Sequence, residues 1–219
     1  MHLDFAEAAR TEWQRGAINA CPFVAVILML DRFKFAGIEM TDGVTRALAG
    51  LAEQIASAAT LDGEFVLRSG QVSYRYFDKY RFEGMPALLK PLARAMSDLL
   101  PANTEIIAGL ELGGIPLVTA ISLETGLPAA FVRKEAKTYG TCRAIEGQDV
   151  AGRNVTFIED VITTGGAVAD AYQLAAAEGA NVLAVVCAIW RGDGTPRIHS
   201  VPGLSVLPVF SRVDLERAG

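Results

Sequence analysis

The sequence predicts an α/β domain built on a mainly parallel, doubly wound sheet, with a smaller element preceding it. Three observations carry this. Beyond Pro101, short apolar runs alternate with helix-like stretches at regular spacing. Val182 to Trp190 is apolar without polar alternation, as expected of a strand covered on both faces. Gly-rich turns follow the apolar runs, and in such sheets ligands sit beyond the carboxyl ends of the strands.

The elements read in order as follows. Thr41 or Asp42 can cap a helix in which Val44, Leu48, Leu51 and Ile55 recur at helical spacing. Phe65 to Leu67 and Ser73 to Tyr80, separated by Ser69-Gly70, read as paired short strands. Leu88, Leu89, Leu92, Met96, Leu99 and Leu100 mark an amphipathic helix. Glu105 to Gly109 is a buried strand, then a Gly-rich turn, then a helix over about Ile115 to Glu124. Ala129 to Val132 is a strand and Arg133 to Val150 a long polar loop. Asn154 to Ile158 is a strand, Gly166 to Glu178 a helix closed by Gly179, and Val182 to Trp190 the last clear strand.

Composition removes several function classes. Of 219 residues, 51% are hydrophobic and 21% charged, enough apolar content for a sizeable core. Lys and Arg number 20 against 25 Asp and Glu, a formal charge of -5, which argues against a general nucleic-acid coat. The histidines are His2 and His199, too few for a three-histidine zinc site. Cys21, Cys142 and Cys187 are far apart and odd in number, so no disulfide framework is expected, which suits the cytoplasm. The apolar run Pro22 to Leu30 is too short to span a bilayer.

Val155 to Ala167, VTFIEDVITTGGA, is the most informative segment. An apolar strand runs into Glu159 and Asp160, and Thr163, Thr164, Gly165 and Gly166 then open a helix. Bare N–H groups at a Gly-rich helix start favour phosphate. The adjacent acids suit a different polar partner, such as ribose hydroxyls or a hydrated metal. Neither the mononucleotide P-loop nor the G-x-G-x-x-G fingerprint is present.

This segment resembles the phosphoribosyl-pyrophosphate signature of type I phosphoribosyltransferases. The resemblance implies that family's fold, with a small N-terminal hood over a parallel sheet. It implies that Glu159 and Asp160 hold the ribose, and that Thr163, Thr164, Gly165, Gly166 and Ala167 hold the 5′-phosphate. Phe131 to Thr141, FVRKEAKTYGT, is similar to the R-K-E-x-K-x-H-G loop of orotate phosphoribosyltransferases. Arg133, Lys134, Lys137 and Arg143 lie within eleven residues. By that likeness Arg133, Lys134 and Lys137 bind the diphosphate, Lys137 and Asp160 also act catalytically, and the loop reaches across a homodimer. Tyr139 stands where the family commonly has His; it donates a hydrogen bond but carries no positive charge near neutral pH.

Phe65 to Phe77, FVLRSGQVSYRYF, resembles the hood segment of the same enzymes, with Arg68 in place of the usual Lys. Gly109 to Pro116, GLELGGIP, looks like the turn that binds pyrophosphate through its backbone. Arg191 matches an arginine that pairs with the orotate carboxylate, and Arg68, Phe77 and Thr163 would complete the orotate site. The likeness runs from about Gly63 to Arg191. It implies transfer of a phosphoribosyl group to orotate, giving orotidine 5′-monophosphate and pyrophosphate in pyrimidine biosynthesis. Mg²⁺ would be held mainly through substrate and water rather than by protein ligands. Residues 1–40 read as an N-terminal extension packed on the core. Residues 41–219 read as the catalytic domain, with a hood over about 61–82 and a core over about 85–210. A phosphoribosyltransferase for a purine or other base, and a non-catalytic sensor of phosphoribosyl pyrophosphate, are the alternatives.

Overall fold

The computed structural model describes residues 42–66, 70–134 and 144–218. The expected N-terminal extension, Arg68 and Lys137 lie outside the described residues. Helix α1 spans Asp42–Ala59 and buries Leu51, Ala52, Ile55 and Ala59 along one face. It leads into a two-stranded antiparallel sheet, β1 (Thr60–Val66) and β2 (Val72–Phe77), in which Phe65 stacks on Tyr76. The second strand ends three residues short of the expected Tyr80. The Asp78 side chain accepts a hydrogen bond from the Tyr80 N–H and caps a short helix, α2 (Lys79–Glu83). Helix α3 (Pro86–Ser97) begins on Pro86, where the missing N–H costs nothing, and buries Leu88, Leu92 and Met96.

The main sheet contains β3 (Ile106–Leu110), β4 (Ala129–Val132), β5 (Ile145–Gly147), β6 (Asn154–Ile162), β7 (Asn181–Trp190) and β8 (Ser205–Ser211). Their order across the sheet is β5-β4-β3-β6-β7-β8. Every neighbouring pair is parallel except β4 with β5. The expected loop over 133–150 is therefore partly a strand, since Ile145–Gly147 returns along the sheet edge.

Helix α4 (Gly114–Thr125) follows β3, α5 (Gly166–Ala177) follows β6, and α6 (Arg212–Ala218) ends the domain. Alternate residues of the strands serve opposite faces. Ile106, Ala108 and Leu110 pack in one cluster with Phe157 and with Val168, Ala171 and Ala175 of α5. Ile107, of the other parity, is also fully buried, as are Leu117, Val118 and Ile121 of α4. With both faces covered, the strands need no polar alternation. Among the described residues no helix is long and apolar enough to cross a membrane.

Candidate active site

The central strand β6 runs four residues past the expected Ile158, so Glu159 and Asp160 sit inside it rather than beyond it. Both are buried, Asp160 completely. The Val161 N–H donates to Asp160 Oδ1, and the ammonium of Lys79 lies 2.5 Å from Asp160 Oδ2. A third wall is backbone: a Cβ at Gly113 would stand 1.5 Å from Oδ2, so only glycine fits beside this carboxylate. Gly113 belongs to the turn joining β3 to α4, whose Glu111–Leu112 peptide is cis.

Three carboxyls and one ammonium therefore share a small volume. Burial pushes the Glu159 carboxyl well above the usual range, and the neighbouring Asp160 adds to the rise. Burial also opposes ionisation of Asp160, but its bonds to Glu159 and Lys79 outweigh this and hold it below the usual value. Lys79 behaves likewise: burial disfavours its charge, the Asp160 carboxylate more than compensates, and its pKa is raised. Glu83, at the other end of α2 and only 5% exposed, is pushed up to about 8 by burial and then by the Asp160 charge.

The sign of the Glu83 effect follows from linkage. Its folded pKa exceeds its unfolded value, so its contribution to stability is complete below about pH 4.5 and is lost as pH rises through about 8. Glu83→Gln removes this loss while keeping the side-chain shape. At about pH 9 the variant is expected to melt roughly 2–8 °C higher than wild type, as about 1–2 kcal/mol would shift a domain of this size. Melting curves that keep the same separation from about pH 5 to about pH 9 would contradict it.

Beyond the acids, Gly165 adopts φ 81° and starts α5. A Cβ there would strike Ile198 at 2.3 Å, so the turn before the helix is both left-handed and closely covered. Thr163, Thr164, Gly165, Gly166 and Ala167 surround a cavity of about 200 Å³ with Glu159. A neighbouring cavity of about 470 Å³ brings Arg133 and Lys134 together with Thr164, Gly166, Ala167 and Asp170. The Lys134 N–H donates to Glu111 at 2.8 Å, tying the start of the cationic segment to the turn after β3.

Phe77 and Arg191 meet on the other side. The guanidinium lies 5.3 Å from the Phe77 ring centroid, and both border a cavity of about 510 Å³. The Arg191 N–H donates to the Ile162 carbonyl at 2.8 Å, fixing its backbone to the end of β6. A Cβ at Gly192 would fall 2.6 Å from the Thr163 carbonyl oxygen, so the turn after β7 closes onto the threonine at the start of the phosphate loop.

Of the expected site residues that are described, Glu159 and Asp160 lie in β6, Thr163 to Ala167 in the turn and first residues of α5, Arg133 and Lys134 after β4, Phe77 at the end of β2 and Arg191 after β7. Sequence reading missed Lys79 and Glu83; Gly113 lay within the turn Gly109 to Pro116 that it singled out, but its packing against Asp160 was not foreseen. Asp78 as a helix cap, followed by Lys79 and Glu83 at i and i+4, was the available signal for the first two.

A comparison with models of known protein families finds no match. Curated relatives are more informative. The chain is 53% identical over 170 residues to an orotate phosphoribosyltransferase from a Nocardioides species, covering 78% of this chain and 95% of that one. A crystal structure of Mycobacterium tuberculosis orotate phosphoribosyltransferase with Fe(III) dicitrate matches with a TM-score of 0.69 and 31% identity, over 77% of this chain and 98% of that one. The same enzyme solved with 5-phospho-α-D-ribosyl 1-diphosphate matches with a TM-score of 0.66 and 28% identity, over the same shares. The extent of these matches, on a fold with its acids and Gly-rich loop at the carboxyl end of β6, shows that the chain belongs to the orotate phosphoribosyltransferase family, pentosyltransferases of the type I phosphoribosyltransferase fold.

Proposed function

We propose that the described cavities divide one phosphoribosyl transfer among them. The reaction moves the phosphoribosyl group of phosphoribosyl pyrophosphate to N1 of orotate, giving orotidine 5′-monophosphate and pyrophosphate for pyrimidine synthesis. The observation that carries the assignment of roles is the cavity in which Arg133 and Lys134 face Thr164, Gly166 and Ala167 at the start of α5. One cationic wall and one wall of helix N-terminal N–H groups suit a ligand with phosphate at both ends.

In this reading Thr163 to Ala167 hold the 5′-phosphate, Glu159 and Asp160 the ribose hydroxyls, and Arg133 and Lys134 the diphosphate. Arg191, Phe77, Arg68 and Thr163 hold orotate. Lys137 stabilises the negative charge that grows on pyrophosphate as the ribose turns oxocarbenium-like, a contribution of about a hundred- to a thousandfold in rate. Orotate arrives as an anion, so the chemistry needs no dedicated general base.

The oxygen donors Glu111, Thr164 and Asp170 around the diphosphate cavity suit Mg²⁺, a hard cation that keeps its waters and binds substrate phosphates. These residues would hold it through water, and the ion would supply charge neutralisation at the diphosphate. The catalytic domain is placed at residues 41–219, with residues 1–40 as an extension.

Disappearance of orotate absorbance on adding phosphoribosyl pyrophosphate and Mg²⁺ tests the reaction; no loss of orotate by folded protein would overturn it. Assembly has its own test. We assign the Lys137 loop to the neighbouring site of a homodimer, so mixing Lys137→Ala with Asp160→Asn chains is expected to restore part of the lost activity. A mixed dimer holds one site with both elements intact. No recovery after verified subunit exchange would mean that each chain serves its own site.

A further inference from the structure

Lys79 stands directly after the hood strand β2, at the start of α2. Its side chain is 31% exposed, whereas the carboxylate it pairs with is fully buried. The oxygen it holds, Asp160 Oδ2, is the one walled by Gly113. Lys79 therefore reaches the place where the β6 acids meet the turn between β3 and α4. It is also the charge that compensates a buried carboxylate, with Glu83 and Glu159 as the other acids close by.

This arrangement has a consequence for binding. A ribose hydroxyl must donate to Asp160, yet Oδ1 already accepts from Val161 and Oδ2 is held by Lys79. Each oxygen could accept a second bond, but Asp160 is completely buried, with Gly113 against Oδ2 and Lys79 on it, so an arriving hydroxyl reaches Oδ2 by displacing the ammonium. Lysine yields readily, because its charge sits on a flexible four-carbon stem that here is partly in solvent. The displaced ammonium needs another anion. The turn holding Gly113 lies against the same carboxylate, and Glu111 of that turn borders the cavity lined by Arg133 and Lys134. A diphosphate bound in that cavity would bring negative charge to this same turn.

Resting on the phosphoribosyl-transfer reading, we propose that Lys79 is a further substrate-binding residue, whose ammonium leaves Asp160 when the ribose arrives and pairs with the diphosphate beside the Gly113 turn. It adds a cation to the leaving group from the same chain that supplies the ribose acids, whereas Lys137 is assigned to the partner's site. While no substrate is present it also gives the buried Asp160 carboxylate its counter-charge.

Calorimetric titration of wild type, Lys79→Gln and Lys79→Arg, with Mg²⁺ and phosphoribosyl pyrophosphate in the absence of orotate, and separately with ribose 5-phosphate, tests this. Loss of one charge-assisted hydrogen bond is expected to weaken phosphoribosyl pyrophosphate binding about 10- to 50-fold in Lys79→Gln, and Lys79→Arg is expected to lose less than about fivefold. Ribose 5-phosphate, which competes with Lys79 but brings no diphosphate, is expected to bind Lys79→Gln as well as or better than wild type. Phosphoribosyl pyrophosphate affinity unchanged in Lys79→Gln would overturn the role. So would an equal loss for both ligands, since that marks a prop for Asp160 and not a contact with diphosphate. Melting curves establish that each variant is folded. Should Lys79→Gln fail to fold, Lys79→Gln/Glu83→Gln, which removes the cation and a buried acid together, carries the same comparison. Wild type that binds neither ligand would overturn the phosphoribosyl reading itself; wild type that binds both, with an unaffected Lys79→Gln, overturns the role of Lys79 alone.

Discussion

Arg191→Ala is expected to lower kcat/KM for orotate by about 30- to 1,000-fold, the equivalent of about 2–4 kcal/mol, while leaving phosphoribosyl pyrophosphate binding to the free enzyme almost unchanged. Orotate differs from uracil by a carboxylate, and a guanidinium binds that group through two parallel charge-assisted hydrogen bonds. Arg191 is exposed, so the proposed pair would be desolvated only as orotate covers it. Its position is already set: the backbone N–H is bonded to Ile162 and the guanidinium rests over Phe77, which orients the cation. Arg191→Lys keeps the charge and loses the fork, so partial activity supports bidentate binding. A kcat/KM for orotate within twofold of wild type in Arg191→Ala would remove this residue from the base site.

Asp160→Asn is expected to weaken phosphoribosyl pyrophosphate binding by about 100-fold or more, through two losses that act together. An amide nitrogen presents a donor where a ribose hydroxyl needs an acceptor. The neutral side chain also leaves Lys79 without the partner that holds it at the hood. The local backbone has little reason to move, because both neighbours of residue 160, Glu159 and Val161, are paired with β7. Calorimetry on the folded variant checks this, and an unchanged affinity would place Asp160 outside the ribose site.

The legible part of the fold was the part with the plainest pattern. Strands β3, β4, β6 and β7 each contain an apolar run, and α4 and α5 each begin at a Gly-rich turn, so β4 and the start of α5 fall where the spacing puts them. Shorter or locally capped elements were not legible. Helix α2 has five residues, too few for a 3.6-residue period to register, and the Asp78 cap stops a strand that alternation alone would extend. Strand β8 contains Pro208 and α6 has only seven residues, so neither stands out against the tail. Strand β5 has three residues inside a polar stretch and exists because an edge of β4 is available to pair.

The site divides in the same way. The acids and the phosphate loop are contiguous in sequence and could be read directly. Lys79 and Glu83 become functional candidates only through their closeness to Asp160, since the Asp78 cap and their spacing mark a helix start and not a site; Gly113 lay in a turn already singled out, and the structure adds its contact with Asp160. Arg191 stood between: an ordinary arginine after a strand, given meaning by the ordered set before it and by its contact with Phe77.

One competition experiment tests the central claim most directly. The protein is incubated with phosphoribosyl pyrophosphate, Mg²⁺ and equal concentrations of orotate, uracil and adenine, and the nucleotide products are separated and counted. Orotidine 5′-monophosphate is expected as the dominant nucleotide, with one pyrophosphate released for each. Equal formation of uridine 5′-monophosphate, or a purine nucleotide as the main product, would contradict the assignment of Arg191 and the orotate pocket while leaving the phosphate loop's role intact.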